Sequence, residues 1–211
     1  MRTIVYVDGL NLYYGALKGT PYKWLDLKKL AQEILGPQND IIKIKLFTAA
    51  VKPTSTDPHV HLRQSVYLRA LEKFIPEIEI MKGHFLEHTV SMRLDPPIGT
   101  KKFATVLKRE EKGSDVNLAL HFLNDAWLNH YDCGVIISND SDLAEAVRLV
   151  RMQTTKKIGI ISPFPTTSKE LSNHSHFQRK IRENALTISQ LPDQIPNTNI
   201  KKPDRWKTIT E

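Results

Sequence analysis

The residues of this 211-residue chain best suited to chemistry are aspartates at the ends of apolar segments. They are Asp8, Asp115, Asp140 and Asp142. Asp8 and the pair at 140 and 142 each follow a buried-strand pattern, while Asp115 opens a helical pattern. Grouped carboxylates repel one another unless a cation neutralises them, and a hard ion such as Mg²⁺ takes carboxylate oxygens as ligands. Such a site could activate water for phosphodiester cleavage with one or two metal ions.

Each aspartate also has an ordinary structural explanation. An aspartate before a helix is a common N-cap, worth about 1 kcal/mol of stability. For a single position this explanation is the better one, but the joint pattern favours a metal site, because 140 and 142 supply two carboxylates where one cap would suffice. Asn11 could orient a metal-bound water or a phosphate, or it could simply form a turn hydrogen bond. Ser138, Asn139 and Ser141 could bind phosphate, or they could form the turn.

The elements that must position these residues follow an alternating pattern. Strands are predicted at 3–7, 41–51, 77–93, 134–138 and 157–162, with helices at 10–17, 26–35, 60–74, 114–127 and 143–150. Strands that alternate with helices predict an α/β domain with a mainly parallel sheet. In such a sheet, ligands bind at the carboxyl ends of the strands, and this is where the aspartates fall. If the first strand neighbours the strand at 134–138, Asp8 converges with Asp140 and Asp142.

Three further predictions concern particular segments. In the helix at 114–127 the predicted buried face consists of Val116, Ala119, Leu120, Leu123 and Trp127. Residues 95–99 contain two prolines and a glycine and are predicted to form a loop. Residues 1–191 are predicted to form one domain, and the polar, proline-containing residues 192–211 an extended tail.

The charge of the chain favours a polyanionic partner. Lys and Arg total 30 against 23 Asp and Glu, which gives a net charge of +7. Residues 151–182 hold seven basic side chains and one acidic one, and a second basic cluster ends at Lys112. Such side chains give salt-sensitive, sequence-independent contacts to phosphates. Tyr13, Tyr14, Trp24 and Phe177 are candidate surfaces for stacking unpaired bases, although each is as easily explained as a core or surface residue.

Other classes of protein are excluded or disfavoured by simple counts. The single cysteine, Cys133, rules out an intrachain disulfide framework and fits a reducing compartment. No apolar run approaches the roughly 20 residues of a membrane span. No two glycines are separated by a single residue, so the GxGxxG dinucleotide-binding pattern cannot occur. A cytoplasmic protein is therefore expected.

Three blocks of the sequence resemble the NYN domain, a branch of the PIN-like nuclease superfamily. They are residues 5–12 (VYVDGLNL), 112–119 (KGSDVNLA) and 136–143 (IISNDSDL). The resemblance implies a three-layer α/β/α sandwich with a central, mainly parallel sheet, a Mg²⁺ or Mn²⁺ cofactor and RNA as the substrate. Carried over, the metal-binding and catalytic aspartates are Asp8, Asp115, Asp140 and Asp142, with Asn11 as their polar companion.

The sequence departs from the family pattern at two positions. Asn139 stands where the last block often has a glycine, and His121 stands where many members have a further aspartate. Three functions therefore stay in view. The first is a metal-dependent endoribonuclease that binds substrate through Asn11, Lys112, Ser138, Asn139 and Ser141. The second is a non-catalytic RNA-binding or adaptor module, and the third is a small-molecule oxidoreductase, which the glycine pattern disfavours. Whether the chain forms a homodimer is left open.

Overall fold

A computed structural model describes residues 1–207, apart from the side chains of Phe85, Arg109 and Glu111. Seven strands form one sheet in the order β4-β3-β2-β1-β5-β6-β7. The strands are β1 (Arg2–Asp8), β2 (Asp40–Ala49), β3 (Ile78–Ile98), β4 (Lys101–Lys112), β5 (Cys133–Ile137), β6 (Lys157–Ser162) and β7 (Phe177–Lys180). Every neighbouring pair is parallel except β3 and β4, which form an antiparallel hairpin. The predicted mainly parallel sheet is confirmed.

Helices connect the strands and cover the sheet. They are α1 (Gly9–Leu12), α2 (Leu27–Leu35), α3 (Val60–Phe74), α4 (Ser114–Trp127), α5 (Ala144–Gln153), α6 (Lys169–His174) and α7 (Glu183–Ile188). A π-helical turn, Tyr13–Leu17, continues α1, and short 3₁₀ turns occupy Ser141–Leu143 and Asp204–Trp206. Asp26 caps α2 by accepting the backbone N–H groups of Lys28 and Lys29, as expected for a helix that begins there. None of these helices, which lie within residues 1–207, has the length and apolar character that a membrane crossing requires.

The helices divide between the two faces of the sheet and create two hydrophobic cores. Side chains alternate along a strand, so on β1 Val5 and Val7 point into the core beneath α2 and α3. Ile4 and Tyr6 point to the opposite face, where α4, α5 and α6 pack. Asp8 is two residues after Tyr6 on the same strand, so its side chain points to the same face of the sheet, the one that α4 covers. The expected three-layer α/β/α sandwich is thus the observed fold.

The predicted buried face of α4 is wrong. Val116, Leu120 and Trp127 are each more than half exposed, whereas Ala119 and Leu123 are only partly buried. The fully buried positions are instead Leu118, Phe122, Asp125 and Ala126, together with Ser114. The sequence pattern failed because the inward face carries a charged residue, Asp125, whose partner lies on another element.

Two segments predicted as irregular are ordered. β3 continues through Ile98, so the loop predicted at 95–99 shrinks to a turn at residues 99–100 within the hairpin. The tail predicted to extend from residue 192 folds back in its described part, 192–207, because Ile195 and Ile200 are buried in the core. The indole Nε1 of Trp24 donates to the carbonyl of Pro192 at 2.9 Å. The boundary between residues 191 and 192 remains a prediction.

A buried ion pair anchors α4 to the sheet below the aspartate end. The Nζ of Lys45 on β2 lies 2.6 Å from Oδ2 of Asp125, with both side chains under 10% exposed (8% and 5%). The hydroxyl of Tyr6 donates to the same carboxylate at 2.6 Å, and His130 contacts its other oxygen at 3.1 Å. Burial alone raises the pKa of Asp125, but the bonds from Lys45, Tyr6 and His130 outweigh it and lower that pKa.

Replacing Asp125 by Asn should destabilise the fold by about 3–5 kcal/mol, because the buried Lys45 ammonium loses its counter-charge. The difference in free energy of unfolding between the wild type and this variant should be complete above the ordinary pKa of an aspartate. It should disappear as pH falls through the lowered pKa of Asp125. Urea unfolding at several pH values measures both effects. The control is Glu79→Gln on β3. It breaks the half-exposed ion pair with Lys43, which lies on β2 as Lys45 does, and it should lower the free energy of unfolding little. Similar losses in the two variants would contradict this account.

Candidate metal centre

Asp8 is a buried carboxylate at the carboxyl end of the central strand. It is only 4% exposed and forms the N-cap of α1. Its Oδ1 accepts the backbone N–H of Asn11 at 2.9 Å, and its Oδ2 accepts the hydroxyl of Ser138 at 3.0 Å. The chain can turn into α1 here because residue 9 is glycine, since a Cβ there would lie 2.9 Å from the carbonyl oxygen of Phe47. Both oxygens of Asp8 therefore have fixed positions.

The other two carboxylates reach the same place from separate segments. Asp140 follows β5, which pairs directly with β1, and it caps the 3₁₀ turn Ser141–Leu143. Its backbone N–H donates to the Oγ of Ser138 at 3.1 Å, so one hydroxyl links it to Asp8. Asp115 lies in the first turn of α4, two residues after Gly113, whose φ of 98° is a conformation that favours glycine.

The three carboxylates converge. One oxygen each from Asp8, Asp115 and Asp140 lies within 4.8 Å of the other two. Three carboxylate oxygens form the donor set that Mg²⁺ and Mn²⁺ prefer, and the roughly 4 Å that separates opposite ligands of a Mg²⁺ ion falls inside this 4.8 Å limit. Burial raises the pKa of Asp8 against the opposing bonds from Asn11 and Ser138, and the nearby Asp140 raises it further. The residues thus fit a divalent cation.

Asp142, the fourth predicted ligand, does not join this group. Among the described residues the cluster has the three members above, and Asp142 is exposed. Its backbone N–H donates to Oδ1 of Asp140 at 3.0 Å, so it follows the cap inside the 3₁₀ turn. The structure therefore places Asp142 beside the cluster rather than in it.

The polar neighbours mostly bind one another. Oδ1 of Asn11 accepts the backbone N–H of Asn139 at 2.8 Å, and Oδ1 of Asn139 accepts the N–H of Ser168 at 2.7 Å. Ser138 is fully buried and donates to Asp8. These contacts give Asn11, Ser138 and Asn139 positioning roles around the carboxylates.

The two remaining predicted substrate contacts, Ser141 and Lys112, are exposed. The Nζ of Lys112 lies 3.0 Å from Glu110. For both residues, substrate binding remains a prediction.

Aromatic side chains border the carboxylates in a cleft of about 190 Å³. Tyr14, 59% exposed, and Phe164 line it together with Leu10. Phe164 was not predicted from the sequence, although its position two residues after β6, at the same edge of the sheet, was a usable signal. Of the predicted stacking residues, Trp24 is fully buried and cannot serve.

His121, where many family members have an aspartate, lies away from the three-carboxylate cluster. Its Nδ1 is 3.3 Å from the Nζ of Lys45, and its ring packs near Phe47. It therefore belongs to the ion-pair network below the cleft.

Mn²⁺ should raise the melting temperature of the protein, because an ion that binds only the folded state adds about 2.7 kcal/mol at a concentration about a hundred times its Kd. Asp140→Asn should abolish this shift. Asp142→Asn, the matched control two residues away, should keep it. Differential scanning fluorimetry measures both. Equal loss in the two variants would contradict the three-ligand cluster.

In the absence of metal, Asp8→Asn should stabilise the protein by about 1 kcal/mol at neutral pH, because it removes a buried charge beside two other carboxylates. A carboxyl whose folded pKa is raised costs stability as pH rises through that pKa, so the difference should vanish in acid. Chemical unfolding in EDTA at several pH values tests this. If Asp8→Asn were less stable than the wild type at neutral pH, the folded state would not disfavour the ionised carboxylate of Asp8.

Comparison with known proteins places this site in context. The chain is 32% identical over 235 aligned positions to 6-hydroxy-3-succinoylpyridine 3-monooxygenase HspA of Pseudomonas putida, covering 98% of this chain and 75% of that protein. It also resembles the crystal structure of a protein of unknown function from Vibrio parahaemolyticus, with a TM-score of 0.53 and 17% identity. That similarity covers 87% of this chain and 94% of the other, and it concerns the fold.

The family itself follows from a match that covers most of the chain. The family model of the NYN domain matches residues 2–181. This range contains all three sequence blocks and all three clustered carboxylates. The chain belongs to the NYN domain family.

Proposed function

We propose that this protein is an endoribonuclease that depends on Mg²⁺ or Mn²⁺ held by Asp8, Asp115 and Asp140. The observation that carries the proposal is the convergence of three carboxylates, from three segments of the chain, in one cleft. Among the described residues, no ion pair joins Asp8 or Asp140 to a lysine or an arginine. Stability alone does not explain such an arrangement, because grouped acids repel.

The chain's own residues would bind the ion and hold it in a fixed position. Asp8 is oriented by Asn11 and Ser138, and Ser138 also holds the backbone of Asp140. A divalent ion bound there supplies the activation of water and the neutralisation of charge that phosphodiester hydrolysis requires. The bond from Asn139 to Asn11 fixes the loop after β5 against the turn after β1. Preorganisation of this kind keeps the ligands in place during the reaction.

The charge around the cleft supports a polyanionic substrate. Lys180 ends β7 and Lys169 begins α6 after β6, so both lie toward the edge of the sheet that carries the aspartates. Both are exposed, as is Arg182. Tyr14 on the rim offers a ring for a base, with the Nζ of Lys18 5.0 Å from that ring's centre. A phosphate backbone would meet positive charge on its way to the carboxylates.

Purified protein should cleave a mixed pool of RNAs in Mn²⁺ or Mg²⁺ and lose cleavage in EDTA. Asp115→Asn should lower the rate about a hundredfold or more, because it removes a ligand rather than a supporting residue. Asp142→Asn should stay within a few-fold of wild type, and gel electrophoresis of end-labelled RNA gives the rates. RNA binding without cleavage that depends on these aspartates would instead favour the non-catalytic module.

A monooxygenase activity is the second candidate, because the Pseudomonas putida relative carries that name and shares 32% identity over nearly the whole chain. A monooxygenase consumes O₂ and a reductant for each hydroxylation. The test is oxygen consumption with 6-hydroxy-3-succinoylpyridine and NADH, with and without added flavin. Turnover there that survives Asp115→Asn would replace the nuclease proposal. Absence of turnover, together with metal-dependent RNA cleavage, would support the nuclease.

A further inference from the structure

The β3–β4 hairpin extends far beyond the sheet. β3 pairs with β2 only over residues 78–83, whereas it pairs with β4 from His84 to Ile98. Most of the hairpin is therefore a two-stranded arm, and β4 is the edge of the sheet in the described part of the chain. An isolated two-stranded ribbon is only marginally stable in water, and a long free edge is a template for pairing with another strand.

The arm also exposes apolar side chains on both faces. Val106 is 37% exposed and faces Val90 across the hairpin, and Met92, opposite Ala104, is 50% exposed. On the other face Phe103 and Leu107 are 61% and 55% exposed. These residues occupy the middle of β4, between lysines at 101 and 102 and a mixed charged segment at 108–112. The composition suits a strand that is covered at its centre and charged at its ends.

We infer that β4 pairs with β4 of a second copy of this chain, antiparallel and about a two-fold axis at Val106. In such an isologous pairing, the numbers of two residues that face each other across the axis add up to 212, so Val106 faces Val106 of the second copy. The two arms then join into a four-stranded ribbon whose hydrogen bonds occupy both free edges. Three or more strands are what a ribbon needs for independent stability.

The charges of β4 select this register. It places Lys102 opposite Glu110 and Lys101 opposite position 111, which is also a glutamate. Opposite charges facing each other across strands are stabilising, whereas like charges are destabilising. A two-fold axis keeps each side chain on the same face of the ribbon in both copies, so the axis must pass through a residue. The nearest alternative registers therefore have their axes at residues 105 and 107. The former sets Lys102 against Lys108, and the latter sets Lys102 against Lys112, so both are disfavoured.

Within one chain Glu110 already contacts Lys108 and Lys112, the latter at 3.0 Å. Those lysines lie on its own strand, two residues to either side and on the same face. Hydrogen bonds from both lower the pKa of Glu110 to about 2, so it stays ionised. The strand thus carries an ionised carboxylate near its carboxyl end and two lysines at its amino end, and antiparallel self-pairing about Val106 brings these groups opposite each other.

A cysteine at the two-fold axis gives the sharpest test. Facing residues of antiparallel strands have Cα atoms about 4.5–5.5 Å apart, which a disulfide spans. Val106→Cys should therefore form a covalent dimer of twice 24.2 kDa on mild oxidation, seen on a non-reducing gel. Ala104→Cys, on the same face but about 13 Å from its copy in this register, should not. The natural Cys133 is buried and leaves the background low. Absence of the Val106 crosslink, or equal crosslinking at 104, would overturn the proposal.

Charge reversal tests the register in solution. Lys102→Glu and Glu110→Lys should each raise the dimer's dissociation constant about tenfold, since each creates two like-charge pairs per dimer. The double variant Lys102→Glu/Glu110→Lys should restore dimerisation. The control Lys29→Glu makes the same charge change at an exposed side chain on α2 and should leave the dissociation constant unchanged. Sedimentation equilibrium measures the constants.

Three outcomes would overturn the pairing: a monomeric wild type, a dimer insensitive to these changes, or a double variant that stays monomeric. A monomer whose RNA affinity falls with Lys102→Glu would show that the arm contacts nucleic acid instead. Because none of these measurements involves cleavage, the arm proposal and the nuclease proposal can fail independently.

Discussion

The burial of one carboxylate, Asp8, at the carboxyl end of the central strand constrains the rest of the site. Removing a charged group from water is costly unless partners compensate. Here the backbone N–H of Asn11 and the hydroxyl of Ser138 compensate in part, yet burial still raises the pKa of Asp8. Two further acids, Asp115 and Asp140, approach the same point. The divalent cation proposed for this cluster would supply positive charge at the point where the three acids meet.

The same face of β1 shows what full compensation looks like. Tyr6, two residues before Asp8, donates to Asp125, which is also buried. That carboxylate has a lysine partner at 2.6 Å, and its pKa is lowered rather than raised. The protein therefore neutralises one buried acid with its own side chains, whereas the pKa of the other stays raised. This contrast separates an anchoring network, which fixes α4 to the sheet, from the three-carboxylate cluster that Asp115 joins from the start of the same helix.

The sequence was sufficient for five of the seven strands but did not predict β4, β7, α6 or α7. It was also sufficient for the meeting of Asp8 with Asp140, because adjacent parallel strands bring their carboxyl ends together. It was insufficient where long-range pairing decided the outcome. The inward face of α4 depends on Asp125 meeting Lys45, 80 residues away, and periodicity of apolar residues cannot reveal such a pair. Asp142 lies inside the 3₁₀ turn that Asp140 caps and is exposed, so its role as a ligand remains a prediction. The buried Ile195 and Ile200 lie in a polar segment without regular spacing, so nothing local predicted their burial.

The most direct measurement is the anomalous scattering of Mn²⁺ in crystals of the protein grown or soaked with that ion. A single site, or a close pair of sites, should appear in the cleft within ligand distance of carboxylate oxygens from Asp8, Asp115 and Asp140. No density there at saturating Mn²⁺, or an ion held by Asp142 and solvent alone, would contradict the view that these three side chains form a metal centre.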